Sequence, residues 1–206
     1  MLEELKSKIE NDLKNQAISP KILLDNLSIL NEQSRKSSSY VDPNYIPFYY
    51  HLGKYLNIKK MIEIETGAAL HSCSFLKSCK SIETFLAFQS KKDDFFSSRF
   101  AYKNIKKNYK GDFDLYYGNI KDNNFEVKVN KHNWDLVLFN EEEMSYDSLL
   151  FTFSKLWLNL ESDGLFVVNF VNSIDSVKKC FNNFCKIQNI KNVILNTRYG
   201  TGIIKK

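Results

Sequence analysis

The sequence predicts an α/β protein: a doubly wound, mostly parallel sheet of about seven strands with helices on both faces, plus a helical extension at the amino terminus. Three observations lead there. From about Pro47 onward, short apolar runs alternate with amphipathic stretches of helical length, the pattern of βαβ units. The most apolar run, Leu165 to Val171, is hydrophobic at nearly every position, as a strand covered on both faces must be. Finally, 206 residues with 43% hydrophobic and 14% aromatic content can build one substantial core, but not two large domains sharing a cleft.

The elements follow in order. Leu2, Leu5, Ile9 and Leu13 recur at helical spacing, and Ser19 can cap a second helix opened by Pro20, with Leu23, Leu24, Leu27 and Leu30 on its apolar face. Ser37 to Ser39, with Pro43 and Pro47, reads as a linker. It separates residues 1–40, a cap or dimerisation arm, from an α/β domain over residues 41–206. An aromatic helix (Phe48, Tyr49, Leu52, Tyr55, Leu56) precedes a strand at Lys60 to Ile64, a loop at Glu65 to Ala69 and a helix at Leu70 to Cys79. A strand at Ile82 to Phe88 and a helix at Asp93 to Tyr109 come next, then strands at Asp114 to Tyr117 and Trp134 to Phe139. Leu149, Leu150, Phe153, Leu156, Trp157 and Leu160 mark one helix face, and the strand Leu165 to Val171 follows. Ser173 is the expected cap of a helix turning Ile174, Val177, Phe181 and Phe184 inward. Val193 to Thr197 and Gly202 to Lys205 close the chain around a Tyr199-Gly200 turn. In such a sheet the ligand crevice lies beyond the carboxyl ends of the strands, next to the first one. That rule selects Glu65 to Ala69, Phe88 to Ser90, Gly118-Asn119 and Asn140 to Met144.

Composition narrows the function. The net charge is +5, yet among 29 cations only Arg35, Arg99 and Arg198 are arginine, and the lysines are scattered, so nucleic acid is not the expected partner. No apolar run approaches the ~20 residues needed to span a bilayer. Met1 to Glu10 is charged and amphipathic rather than an export signal, and a cytoplasmic protein without membrane association is expected. Cys73, Cys79, Cys180 and Cys185 form no CxxC pair and read as reduced thiols rather than zinc ligands.

Met61-Ile62-Glu63-Ile64-Glu65-Thr66-Gly67-Ala68-Ala69-Leu70 resembles the first motif of class I S-adenosylmethionine-dependent methyltransferases, with their Rossmann-like sheet. Three later stretches agree in order: Trp134 to Phe139 with Met144-Ser145-Tyr146-Asp147, LNLESDGLFVV over Leu158 to Val168, and Arg198 to Ile204. The resemblance covers about Phe48 to Lys206 and implies binding of S-adenosylmethionine and methyl transfer to an oxygen or nitrogen of a small-molecule or sugar acceptor. Carried over, it gives Glu63 as the acidic residue that orients the loop, Gly67 as the middle glycine, and Thr66 within the turn. Glu65 stands where the first glycine is expected and Ala69 where the third is. Gln89 is the nearest polar residue to the position where the family has a ribose-binding carboxylate, and Asn119 replaces the aspartate that reaches adenine. Asn140 closes the fourth strand. These departures leave an alternative: a catalytically degenerate relative, a pseudoenzyme, acting as a binding or assembly module, with the amino-terminal helices as a homodimer contact.

Glu141-Glu142-Glu143 falls where some relatives hold a divalent cation, but a solvated loop opening the next helix is the favoured reading, and no metal is assigned. His71 follows the loop and is the histidine nearest the expected crevice, while His51 reads as a core residue and His132 as a loop residue. No catalytic residue is assigned. The tyrosines Tyr40, Tyr45, Tyr49, Tyr50 and Tyr55 read as helix packing against the sheet, and Lys103, Lys106, Lys107 and Lys110 as a solvated helix end.

Overall fold

The computed structural model describes residues 1–15, 45–90 and 95–206, with the backbone alone for residues 45 and 95–99. The second amino-terminal helix and the serine linker predicted from the sequence lie outside the described residues. Seven helices are described: α1 (Leu2–Asn15), α2 (Tyr45–Tyr55), α3 (Leu70–Ser78), α4 (Phe95–Asn108), α5 (Asn123–Val129), α6 (Tyr146–Leu158) and α7 (Asp175–Ile187). They surround one seven-stranded sheet of β1 (Lys60–Ile64), β2 (Thr84–Ser90), β3 (Asp112–Gly118), β4 (Trp134–Phe139), β5 (Leu160–Asn169), β6 (Asn192–Leu195) and β7 (Thr201–Lys205).

The sheet order is β3-β2-β1-β4-β5-β7-β6, parallel through β5 and antiparallel at β7. Chain order reverses between β1 and β4, and this reversal opens a crevice at their carboxyl ends. Because successive strand residues point to opposite faces, the sheet divides the core in two. Met61, Leu136, Leu138 and Val167 join helices α1 to α4 on one side. On the other, Ile62, Val137, Phe139 and Phe166 meet α5, α6 and α7. At the amino end of β1, Asp135 of β4 accepts from the amides of Lys59 (2.8 Å) and Lys60 (2.9 Å), tying the two central strands together.

Helix α1 packs into the first layer through Ile9, which is fully buried. Its Asp12 accepts from the Tyr55 hydroxyl (2.6 Å) and the Lys54 ammonium (3.0 Å) and lies 3.2 Å from Nδ1 of the buried His51. The Tyr55 bond, followed by Lys54, holds the Asp12 carboxyl below its ordinary pKa. Helices α2 and α3 lie close, with Ser74 and Ser78 donating to the carbonyls of Ile46 and Tyr50. A Cβ at Gly53 would come within 2.7 Å of the Phe75 carbonyl, so the contact needs a residue without one.

Several boundaries differ from expectation. The short helix α5 is an element the sequence pattern does not predict. Strand β5 begins at Leu160, which therefore belongs to the sheet rather than to the preceding helix, and it ends at Asn169. Ser173 is not the cap of α7: that position is held by Ile174, without a side-chain bond, and Ser173 instead donates to the Phe170 carbonyl at 3.5 Å.

Candidate functional site

The loop from β1 into α3 alternates through left-handed backbone. Glu65, Gly67 and Ala69 have φ of 56°, 54° and 60°, so the conformation glycine favours occurs three times while glycine occurs once. Left-handed backbone at a residue with a Cβ costs roughly 1–2 kcal/mol, and the loop holds it through specific bonds. The Thr66 amide donates to the Phe88 carbonyl (3.0 Å), the Ala69 amide to the Thr66 carbonyl (2.8 Å), and the Gly67 amide to Oε1 of Gln89 (2.6 Å).

Gln89 is thus a structural bracket between strands. It is buried, and its Nε2 donates to the Glu65 carboxylate at 2.6 Å. The same carboxylate accepts from the Ser90 amide (3.1 Å to Oε1) and from the Ser90 hydroxyl (3.3 Å to Oε2). The Glu65 side chain is therefore turned across the tips of β1 and β2.

Beneath the loop runs a chain of buried polar side chains. Glu63, with no solvent exposure, accepts from Ser72 and from Asn140 Nδ2 (3.0 Å). Asn140 Oδ1 in turn accepts from the Tyr49 hydroxyl (3.3 Å) and from Asn169 Nδ2 (2.6 Å). Thr201 donates to Asn169 Oδ1 (3.0 Å) and lies 2.9 Å from the Thr197 hydroxyl. Four strand ends, β1, β4, β5 and β7, are joined this way. Burial drives the Glu63 pKa up to about 8, partly opposed by the bonds from Asn140 and Thr66, so at neutral pH the acid holds its proton.

Two hollows flank Glu65. The larger, of about 410 Å³, is walled by Phe88, Gly118, Ile120 and Met144 and edged by Ser90 and Asn119. The smaller, of about 20 Å³, lies between Glu65, His71, Asn140, Glu142 and Phe170. Asn119 is exposed, its Oδ1 accepting from the Lys121 amide at 2.9 Å. His71 stacks on Tyr49 with ring centroids 4.8 Å apart, and burial depresses its pKa to about 4. His132 packs against Trp134 at the opposite end of the sheet, and His51 lies under α1.

Of the eight residues expected at the site, Glu65, Thr66 and Asn140 line the smaller hollow and Asn119 the larger, whereas Glu63, Gly67, Ala69 and Gln89 form the framework beneath. The acidic triplet is split: Glu141 is buried and accepts from the Glu143 amide at 2.6 Å, while Glu143 is exposed. Among the described residues no group of three or more His, Cys, Asp or Glu side chains is arranged to hold a metal ion. Sequence reasoning missed Asn169, whose signal was a polar residue inside the most apolar run. It also missed Phe170, whose φ of 67° is unusual for a bulky residue.

The strand order, the position of the crevice and the left-handed loop can be compared with solved structures. A protein of Staphylococcus aureus, provisionally named a caffeoyl-CoA O-methyltransferase, superposes with a TM-score of 0.72 and 15% identity over 98% of both chains. This chain has a methyltransferase fold. An O-methyltransferase from Bacillus cereus, in complex with S-adenosylhomocysteine, superposes at 0.70 and 10% identity over 100% of both chains. A Podospora anserina methyltransferase bound to S-adenosylhomocysteine gives 0.68 and 10%, covering 99% of this chain and 96% of the other. No protein-family model matches the sequence, and no curated protein matches it. At 10–15% identity, the likeness to these structures is one of backbone architecture.

Proposed function

We propose that this protein is an S-adenosylmethionine-dependent methyltransferase acting on an oxygen or nitrogen of a small-molecule or sugar acceptor. The observation that carries the reading is the β1–α3 loop: its three left-handed positions persist where two of the three residues carry a Cβ. Strain of this kind persists only where surrounding contacts over-determine it, and it concentrates at ligand-binding sites.

The chain's own groups suit the cofactor. The apolar walls of the larger hollow, Phe88, Ile120 and Met144, fit a purine, with Asn119 at its polar edge. The first turn of α3 points amides toward the loop, where a carboxylate is favoured. The smaller hollow, with Glu65 and Glu142 beside it, suits a cationic centre. S-adenosylmethionine supplies an already activated methyl group, so the protein's work is alignment and proton removal. His71 borders the smaller hollow, but burial, which lowers its pKa to about 4, makes it a weak proton acceptor at neutral pH, so no base is assigned. The acceptor approaches over Asn140 to Tyr146, and no step requires a metal.

A second reading is a methyltransferase-fold binding or assembly module, with the amino-terminal helices as a homodimer contact. The tightness of the smaller hollow, about 20 Å³, favours it. Calorimetric titration with S-adenosylhomocysteine separates the two. Saturable binding tighter than about 1 mM, some −4 kcal/mol, supports the enzyme, followed by transfer of labelled methyl to a panel of hydroxyl and amine acceptors. Absence of heat and of any thermal shift at millimolar ligand leaves the module.

A further inference from the structure

Helix α6 turns Leu149, Phe153 and Leu156 into the core, so its opposite face should be polar. That face instead carries Asp147, Phe151, Ser154 and Leu158, all exposed, at spacings of four, three and four residues that line them up in one stripe. Phe151 is 42% exposed and Leu158 75%, a large cost in apolar surface for two residues of one helix face. We propose that this face pairs with the same face of a second copy of the chain, the two α6 helices running antiparallel about a two-fold axis at Ser154. The proposal does not depend on the cofactor reading, and the contact is separate from the amino-terminal helices.

The stripe is complementary to itself, as a two-fold contact requires. Phe151 and Leu158 flank Ser154 at nearly equal distances, so rotation about Ser154 sets Phe151 of each copy against Leu158 of the other. Ser154 is small enough for the helices to approach, and its hydroxyl already donates to the Leu150 carbonyl (2.8 Å), leaving no unmet donor at the axis. Charge selects the antiparallel arrangement. Asp147 lies in the first turn of α6, while at the other end Lys206 donates to the carbonyls of Trp157 and Leu160 at 2.8 Å each. Antiparallel pairing brings Asp147 of one copy to the Lys206 end of the other, whereas parallel pairing would set like charges and like helix ends together. The remaining cation of the face is balanced within the chain: Lys155 lies over the Phe151 ring at 4.8 Å and is paired with Glu126. A helix of 13 residues is only about 20 Å long, which falls short of a standard interface of about 800 Å² per partner, so the dimer is weak and reversible.

The test is sedimentation velocity on the full-length protein from about 1 to about 500 μM, where a monomer–dimer equilibrium with a micromolar dissociation constant is expected. Phe151→Glu and Leu158→Glu, both at exposed positions, are expected to leave the melting temperature near the native value while weakening the dimer by about tenfold or more. Ser154→Cys supplies a second measurement. The four native cysteines are buried, so under mild oxidation this variant is expected to form a disulfide-linked dimer that the native chain does not. Lys179→Cys, on the exposed side of α7, is the control and is expected to cross-link far more slowly. Three outcomes overturn the proposal: a native protein that is monomeric throughout, a dimer that survives both glutamate substitutions, or Ser154→Cys cross-linking no faster than Lys179→Cys. If the protein is monomeric but sediments with anionic phospholipid vesicles, and Phe151→Glu abolishes this, the stripe belongs to a lipid surface and the proposal is likewise overturned.

Discussion

The two faces of the sheet are built from different materials. Behind β4 and β5, toward α6 and α7, lies an aromatic layer in which Phe153 touches Phe139 and Phe166 at 4.9 Å each and Phe184 at 5.7 Å. Toward α1 to α3 the core includes Glu63, Ser72, Ser74, His51 and Asp12, all buried and polar. The first face is held mainly by contact area, with few buried polar groups such as the Trp134 indole N–H, which donates to the Val129 carbonyl, whereas the second has many buried polar atoms that need hydrogen bonds. Packing and chemistry have been divided between the layers, and the crevice sits where the polar layer reaches the strand ends. The division makes sharp claims about what each layer tolerates.

The largest effect belongs to the aromatic layer. Phe153→Ala removes a ring that meets three others and is expected to destabilise by about 3–5 kcal/mol. Chemical denaturation should show the loss to be nearly independent of pH, since the rings around Phe153 are themselves phenylalanines. In the polar layer the expected loss is smaller and depends on pH. Glu63→Ala leaves Asn140 and Ser72 without their acceptor and should cost about 2–3 kcal/mol, while Glu63→Gln, which keeps one acceptor and one donor, should cost less than about 1 kcal/mol near neutrality. The sign of the pH effect follows from the raised pKa of about 8 against an ordinary 4.5. Between those values the folded protein holds a proton that the unfolded chain has released, so stability is full below the lower value and declines as pH rises through about 8. Melting temperatures should fall from pH 5 to about 8 for the native chain, level off above that, and stay flatter for Glu63→Gln. Equal slopes in the two proteins would contradict a buried, protonated Glu63.

The same contrast explains what was legible in the sequence. Strand β5 and the inward residues of α6 and α7 could be read because burial on an apolar layer is a property of single residues at a fixed period. Helix α5 was lost because Phe125, Val127 and Val129 alternate as a strand would; in the fold Phe125 and Val129 are buried one turn apart and Val127 is 69% exposed. The strand-order rule points to the strand ends where the two hollows lie and selects Glu65 and Asn140, while Glu63 comes from the resemblance of the first motif. What could not be read is how they are joined. Glu65 meets Gln89 across 24 positions, and Asn140 meets Asn169 across 29. Such pairings are made by strand order and rotamer, neither of which leaves a periodic trace. Asn169 shows the cost: taken as part of an apolar run, it is instead a junction between β5, β4 and β7.

A third prediction concerns the margin of the polar layer. Asp12 ties α1 to α2 through Tyr55 and Lys54, beside buried His51. Asp12→Ala should cost about 1–2 kcal/mol, the value of lost hydrogen bonds at a partly desolvated site. Hydrogen exchange should rise in α1 before it rises in β5, because α1 carries few other buried contacts. Uniform loss of protection across both elements would mean that α1 is part of the same cooperative unit as the central sheet.

The smallest effect is the most informative about the loop. At Ala69, φ is 60°, so replacement by glycine relieves left-handed strain of roughly 1–2 kcal/mol. Two losses oppose the gain. The Ala69 methyl is fully buried, and removing it costs about 0.8 kcal/mol, while glycine's extra freedom in the unfolded chain costs about 0.4–1 kcal/mol. Gain and losses nearly cancel, and Ala69→Gly is expected to shift stability by less than about 1 kcal/mol, measured by chemical denaturation. Near-cancellation gives the physical reason an alanine can occupy this turn without reshaping it: packing returns what the backbone loses. A stabilisation well above that bound would show that strain is stored in the loop without compensation. A marked destabilisation would instead mean that burial of the methyl outweighs the backbone strain, and the turn would then owe its shape to the core beneath it.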